Sequence, residues 1–146
     1  MIYIPNDAKV RGGIEQGSVY NFAPNKGVAN HYHIVLNKNP KKDDEVYLVS
    51  FTSSKENTLR YIKNFNFDIK TLVEIENGEC SFLSKPQESC INCNFLKKYD
   101  IQKLIDLIND SNGSCNYPTI QDKLIKRIIE GVKKSTLISD EIKSFL

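Results

Sequence analysis

The sequence predicts an α+β fold in which a small β-barrel precedes a helical C-terminal stretch. Three observations predict it. Up to about residue 97, short runs of β-branched and aromatic residues alternate with turn-forming residues. Beyond that point apolar residues recur at helical spacing. The five or so strands also fall within roughly a hundred residues, too few for a two-sheet sandwich, so a strongly bent barrel with few open edges is the economical closure. The predicted organisation is a barrel over residues 1–97 and a helical extension over 98–146, packed on or beside it as one structural unit.

The elements follow in order. The opening residues read as a loose arm broken by Gly12 and Gly13. Gly17 opens a strand over 18–22, a loop follows over 23–30, and the next strand is 31–36. Asn, Pro and Asp make 37–44 a turn, because they favour turn dihedrals and local hydrogen bonds. The strand 45–52 returns antiparallel to 31–36. The stretch 53–68 carries a short helical turn near 58–63. Further strands are expected near 72–75 and 89–93, with Cys80-Ser-Phe-Leu83 between them.

In the tail, Ile101, Leu104, Ile105 and Ile108 form one apolar stripe, which Asp100 can cap and Asn112-Gly113 can end. A second helix begins near Pro118 and places Ile120, Leu124, Ile125, Ile128, Ile129 and Val132 on one face. Its lysines and Arg127 read as a solvated face. Ser139 starts a last helical segment.

Bulk properties narrow the function classes. With 146 residues, 40% of them hydrophobic, the chain is long enough for one domain with a genuine core. The net charge of +2 neither requires nor excludes a nucleic-acid partner, since a local patch matters more than the total. The N-terminus has no apolar stretch of signal-peptide length, and no run approaches the roughly 20 apolar residues of a membrane span. The expected location is cytoplasmic, with no membrane partner. Thiols are then expected reduced, so Cys80, Cys90, Cys93 and Cys115 read as free cysteines. Cys90-Ile-Asn-Cys93 has the spacing of half a zinc knuckle, but the second half is missing, and neither a metal nor a cofactor is expected. There is no Gly-rich phosphate loop, Ser-His-Asp pattern or metal-spaced carboxylate cluster, which disfavours nucleotide hydrolases and metal nucleases.

The central strands carry a resemblance. Gly17-Ser-Val-Tyr-Asn-Phe22, a Gly-containing loop, His31-Tyr-His-Ile-Val-Leu-Asn37 and Val46-Tyr-Leu-Val-Ser-Phe-Thr-Ser53 resemble the PemK/MazF family of toxin ribonucleases. The resemblance covers residues 14–55 clearly and the rest of the barrel weakly. It implies a small SH3-like barrel with added helices, usually dimeric, that cuts single-stranded RNA without a metal and is held by an antitoxin protein. In the family an Arg-Pro pair starts the second strand, and that Arg with a Thr at the end of the third strand forms the catalytic pair. Thr52 matches the Thr. His31 stands at the Arg position and Tyr32 at the Pro position, so the planar donor that clamps a phosphate through two hydrogen bonds is absent.

His31 and His33 are the only two histidines. Two residues apart in a strand, they point to one face with rings roughly 7 Å apart. Imidazole titrates near neutrality, so such a pair can supply the base that takes the 2′-hydroxyl proton and the acid that protonates the leaving 5′-oxygen. Thr52 can donate a hydrogen bond to the phosphate, and Lys55 or Arg60 can place a fixed positive charge on it. Lys26 and Asn30 belong to the loop that the resemblance puts beside the substrate groove, and Ser53 adjoins Thr52. Against this stand plainer readings: rim histidines bonded to carbonyls, and Thr52 and Ser53 hydroxyls that close a turn. The expected function is a metal-independent endoribonuclease of toxin–antitoxin type. The alternatives are a non-catalytic barrel that binds a protein or nucleic acid, and an accessory piece in a mobile-element or phage-defence system.

Overall fold

A computed structural model describes residues 2–146. The strands are β1 (Val19–Phe22), β2 (His31–Val35), β3 (Glu45–Thr52), β4 (Leu72–Glu74), β5 (Cys90–Asn92) and β6 (Lys97–Asp100). The helices are α1 (Asn6–Gly13), α2 (Pro40–Asp43), α3 (Lys55–Asn64), α4 (Ile101–Asp110), α5 (Asp122–Lys134) and α6 (Asp140–Lys143). All pairings are antiparallel, and the sheet runs β1-β2-β3-β5-β4 with β6 also on β3. The outer strands β1 and β4 are not paired to each other among the described residues, so the expected closed barrel is an open sheet. Both outer strands are short, which limits the unpaired edge each leaves.

β3 organises this sheet. Leu48 pairs with Val35 of β2 and with Lys97 of β6, so it is flanked on both edges. Between Leu48↔Lys97 and Phe51↔Ile91, three steps along β3 face six steps along the partner chain. The excess sits in the excursion that separates β5 from β6, and it works as an enlarged β-bulge.

Each face of the sheet buries its own core. One face presents Val19, Ile34, Tyr47, Val49, Phe51 and Ile91 to Leu124, Ile125, Ile128 and Val132 of α5. The opposite face presents Tyr20, Phe22, Val35, Val46 and Leu48 to Val10 and Ile14 from the α1 region and to Leu104, Ile105 and Ile108 of α4. The period-2 alternation of the strands sorts residues between these two cores. The architecture is therefore α1/α4, sheet, α5.

Two glycines let the helices approach. Gly17 has φ +90°, and a Cβ there would lie 2.7 Å from the Ile125 side chain, so this turn seats α5. Gly113 follows α4, donates from its N–H to Ile108 O at 2.7 Å, and lets the chain run against β1, where Asn21 bridges Ser114. A Cβ at Gly113 would overlap the Asn21 carbonyl oxygen at 2.0 Å.

Several elements differ from the sequence-based expectation. The N-terminal arm is helix α1 with Val10 fully buried, since one apolar anchor against α4 suffices to hold it. The turn after β2 contains α2 and closes through Asp44 at φ 53°. Buried Asn37 staples it, donating to Glu45 O at 2.8 Å and accepting from Tyr47 N at 3.1 Å. The helical turn expected at 58–63 is the ten-residue α3. The four-residue strand β6 was hidden by its Lys-Lys-Tyr-Asp sequence, which is held by pairing with β3 rather than by apolar patterning. α4 matches its apolar stripe, and the Asp100 side chain caps it by accepting from Lys103 N at 2.7 Å. α5 begins at Asp122 rather than near Pro118, so Ile120 precedes the helix, while Leu124, Ile125, Ile128 and Val132 of the expected face are buried on it.

Replacing Gly113 by Ala is expected to destabilise the fold by about 1–3 kcal/mol, the usual range for overpacking against atoms that cannot move aside. Urea denaturation should show a lower midpoint with an unchanged slope, and an unchanged midpoint would contradict the close approach.

Candidate functional site

Three neighbouring strands change character at the same end of the α1/α4 face. Along β3 the residues on this face run Val46, Leu48, Ser50, Thr52, whereas Tyr47, Val49 and Phe51 on the other face stay buried throughout. Along β2 they run Val35, His33, His31, and on β6 Tyr99 gives way to Lys97. The registers Tyr20↔His33, His33↔Ser50 and Leu48↔Lys97 place these side chains on one face. Continued by two residues, the β2–β3 register sets His31 opposite Thr52.

His31, Ser50, Thr52 and Lys97 are all half-buried. Ser50 and Thr52 line a hollow of about 180 Å³ with Thr58, Asn92 and Phe95. Its walls carry donors and acceptors in a partly dry setting. The Thr52 hydroxyl oxygen accepts from Ser54 N at 3.2 Å, which leaves its proton to donate outward. Asn92 uses its carbonyl oxygen to accept from Asn94 N and Asn94 Nδ2, both at 3.0 Å, which directs its NH2 group away from that turn.

Lys97 is the residue that sequence reasoning missed. It forms no ion pair among the described residues, and desolvation holds its ammonium below the ordinary lysine range. A half-buried cation without a carboxylate partner is suited to an anion. The signal that could have found it is the shared polar switch: once β6 is recognised, Lys97 falls on the same face and end as Ser50 and His31.

The expected pairing of two imidazoles does not hold. His33 is fully buried, its ring stacked on Phe22 at 3.9 Å centroid separation and 15° between planes. Neither ring nitrogen has a hydrogen-bond partner among the described residues. Burial, reinforced by the Lys97 charge, pushes its pKa down to about 3. His33 is therefore neutral near pH 7 and sealed from any substrate, because the strand beside it supplies Phe22 as a lid. His31, one pleat outward and paired with Phe22, remains accessible.

The remaining sequence candidates are dispersed. Lys26 and Asn30 line a separate hollow between the β1–β2 loop and the end of α4. Asn30 donates there to Asn21 Oδ1 at 3.2 Å and Ser111 O at 3.3 Å. Ser53 and Lys55 line a broader hollow at the start of α3, where Lys55 is paired with Glu74 at 2.9 Å. Arg60 is exposed on another side of α3, beside Glu56 and Lys63. The thiols of Cys80, Cys90 and Cys93 are buried, and burial pushes Cys93 up to about 12. Among the described residues no three metal-ligating side chains gather, and no helix is long and apolar enough to cross a membrane.

The sequence matches no protein-family model and no curated relative. Solved structures do match. One is an endoribonuclease in complex with its cognate antitoxin from a mycobacterial species, at TM-score 0.52 and 13% identity, over 87% of this chain and 98% of that one. Another is a MazE–MazF complex from Deinococcus radiodurans, at TM-score 0.51 and 10% identity, over 82% of this chain and 92% of that one. At this identity the likeness is one of fold: the chain shares the α+β, antiparallel-sheet architecture of these proteins.

Because His33 titrates far lower folded than unfolded, the unfolded chain binds the extra proton between its ordinary pKa near 6.5 and about 3. Stability is expected to fall as pH drops through that window, by up to about 1.4 kcal/mol per unit. Replacing His33 by Leu should flatten the urea midpoint between pH 6.5 and 5, where carboxylates contribute least. An equally steep dependence in the variant would remove His33 as its source.

Proposed function

We propose that this chain is an endoribonuclease of toxin–antitoxin type that cleaves single-stranded RNA by transferring a phosphoryl group to the neighbouring 2′-oxygen. The observation that carries the reading is the joint polar switch of β2, β3 and β6, which sets His31, Ser50, Thr52 and Lys97 on one sheet face, with Ser50 opposite His33 and Lys97 opposite Leu48. The shared fold with a ribonuclease–antitoxin complex supports it.

The chemistry assigns one role to each group. The His31 imidazole takes the proton of the 2′-hydroxyl as that oxygen bonds to phosphorus. The bond from phosphorus to the 5′-oxygen breaks, and the Lys97 ammonium gives that oxygen its proton. The products are a 2′,3′-cyclic phosphate and a 5′-hydroxyl end, and proton exchange with water resets both side chains. Partial burial makes the Lys97 ammonium a stronger acid than an exposed lysine, in keeping with this role. Hydroxyls of Thr52 and Ser50 donate to the non-bridging oxygens, where negative charge grows. Lys55 and Ser53 lie along the entry from α3, while Lys26 and Asn30 serve a more distant part of the strand. An antitoxin partner, a homodimer and a cytoplasmic location belong to the same reading.

Incubation of the protein with single-stranded RNA in the presence of a chelator is expected to yield cyclic-phosphate ends by mass spectrometry. Replacement of His31 by Ala should slow cleavage ~100-fold or more, the usual scale for a general base. Thr52→Ala should slow it by about 100-fold, as for loss of one donor to a developing oxyanion, and Lys97→Ala by about 100-fold, as for loss of a general acid. Full rates in all three variants would reject the site. RNA that is bound tightly and never cut would leave the non-catalytic binding module.

A further inference from the structure

Beside the Thr52 hollow lies a group of aromatic side chains that the fold leaves uncovered. Tyr61 and Phe65 come from α3, Phe67 from the turn after it, and Phe95 from the excursion between β5 and β6. Tyr61 is central, with ring centroids 4.7 Å from Phe65, 5.8 Å from Phe67 and 5.3 Å from Phe95. Phe65 and Phe67 are 18° from parallel. Phe65 is 62% exposed and Phe95 53% exposed, so both rings meet solvent. Single exposed apolar residues are ordinary, but four contacting rings in one patch are not.

Two features point to what the patch holds. Phe95 belongs both to it and to the hollow lined by Ser50, Thr52, Thr58 and Asn92, so the aromatic surface runs without a break into polar side chains of the kind that bond base edges or phosphate. Two residues beyond Phe95, Lys97 offers a half-buried positive charge that forms no ion pair among the described residues. Flat π-faces next to a cation and to hydroxyl and amide groups match unpaired nucleobases on a phosphate backbone, because every base stacks and every linkage is anionic. An apolar peptide would find no use for the cation or for the polar hollow.

We infer that Tyr61, Phe65, Phe67 and Phe95 form a stacking platform for one or two unpaired bases of the RNA strand whose phosphate lies at Thr52. The inference deepens the ribonuclease reading and rests on it. The platform holds the strand by its base faces, so it tolerates any base and adds affinity without selecting sequence. The excursion between β5 and β6 acquires a purpose thereby: its extra residues bring Phe95 from the sheet edge to the rings of α3.

Binding and cleavage are to be measured separately. Fluorescence anisotropy with a labelled single-stranded oligonucleotide, 2′-O-methylated throughout so that it cannot be cut, reads affinity alone. The two exposed rings, replaced as Phe65→Ala and Phe95→Ala, are expected to weaken binding ~5-fold or more each, the range for loss of one stacked base. The dependence on salt should stay unchanged, because no phosphate contact is lost. Probes with abasic sites scanned along the strand should lose affinity for the wild type at one or two positions and lose nothing further for the variants. Unchanged affinity in both variants would overturn the platform while wild-type cleavage left the ribonuclease reading standing. A wild type that neither binds nor cuts RNA would overturn both. Variants that alter sedimentation of the free protein without altering RNA affinity would assign the rings to contact between copies and overturn the platform as well.

Discussion

The double pairing of β3 is the constraint from which the remaining structure follows. A strand hydrogen-bonded on both edges and packed on both faces has no freedom of register, because a slip by one residue would exchange its two faces. Around Leu48 that condition is met by β2, β6, α4 and the core beneath. Beyond Val49 the α5 side remains sealed, while the opposite side ceases to be apolar at Ser50. The polar end is thus held to the rigid part of the sheet by the same strand that forms its floor, and this is what a site requires if its groups are to stay in place without a ligand. β2 and β6 inherit their positions from β3, so the polar residues of the three strands fall on one face by geometry.

Legibility of the sequence tracks how much of each element's stability is local. The strands 31–36 and 45–52, and the apolar stripes of α4 and α5, could be read because their patterning expresses the face they bury. α1 and β6 could not, since neither carries a pattern: α1 is anchored through Val10, and β6 exists because β3 has a free edge beside it. Sequence reasoning recognised that a bent sheet was needed but expected closure. The strand order leaves β1 and β4 apart, and α5 covers the face that a closed barrel would have turned on itself.

The site was half legible for the same reason. Spacing correctly put His31 and His33 on one face, yet spacing says nothing of what stands next to them. Phe22 comes from β1, and its stack on His33 converts an apparent acid–base pair into one accessible ring and one interior ring. Conversely, Lys97 had no motif to announce it, and its value arises from forming no ion pair among the described residues, a property of the folded arrangement alone. The aromatic residues of α3 and the excursion were visible as composition; their convergence required the three-dimensional path.

The excursion between β5 and β6 also separates two constraints that an unbroken strand would tie together. In a continuous ladder, inserting or deleting one residue would invert every side chain downstream. Here the unpaired span absorbs such a change, so Phe95 and its neighbours can drift in length and identity while β6 keeps its alignment with Leu48. Evolution can therefore revise what lies at the rim of the hollow without disturbing the place of Lys97 beside Leu48.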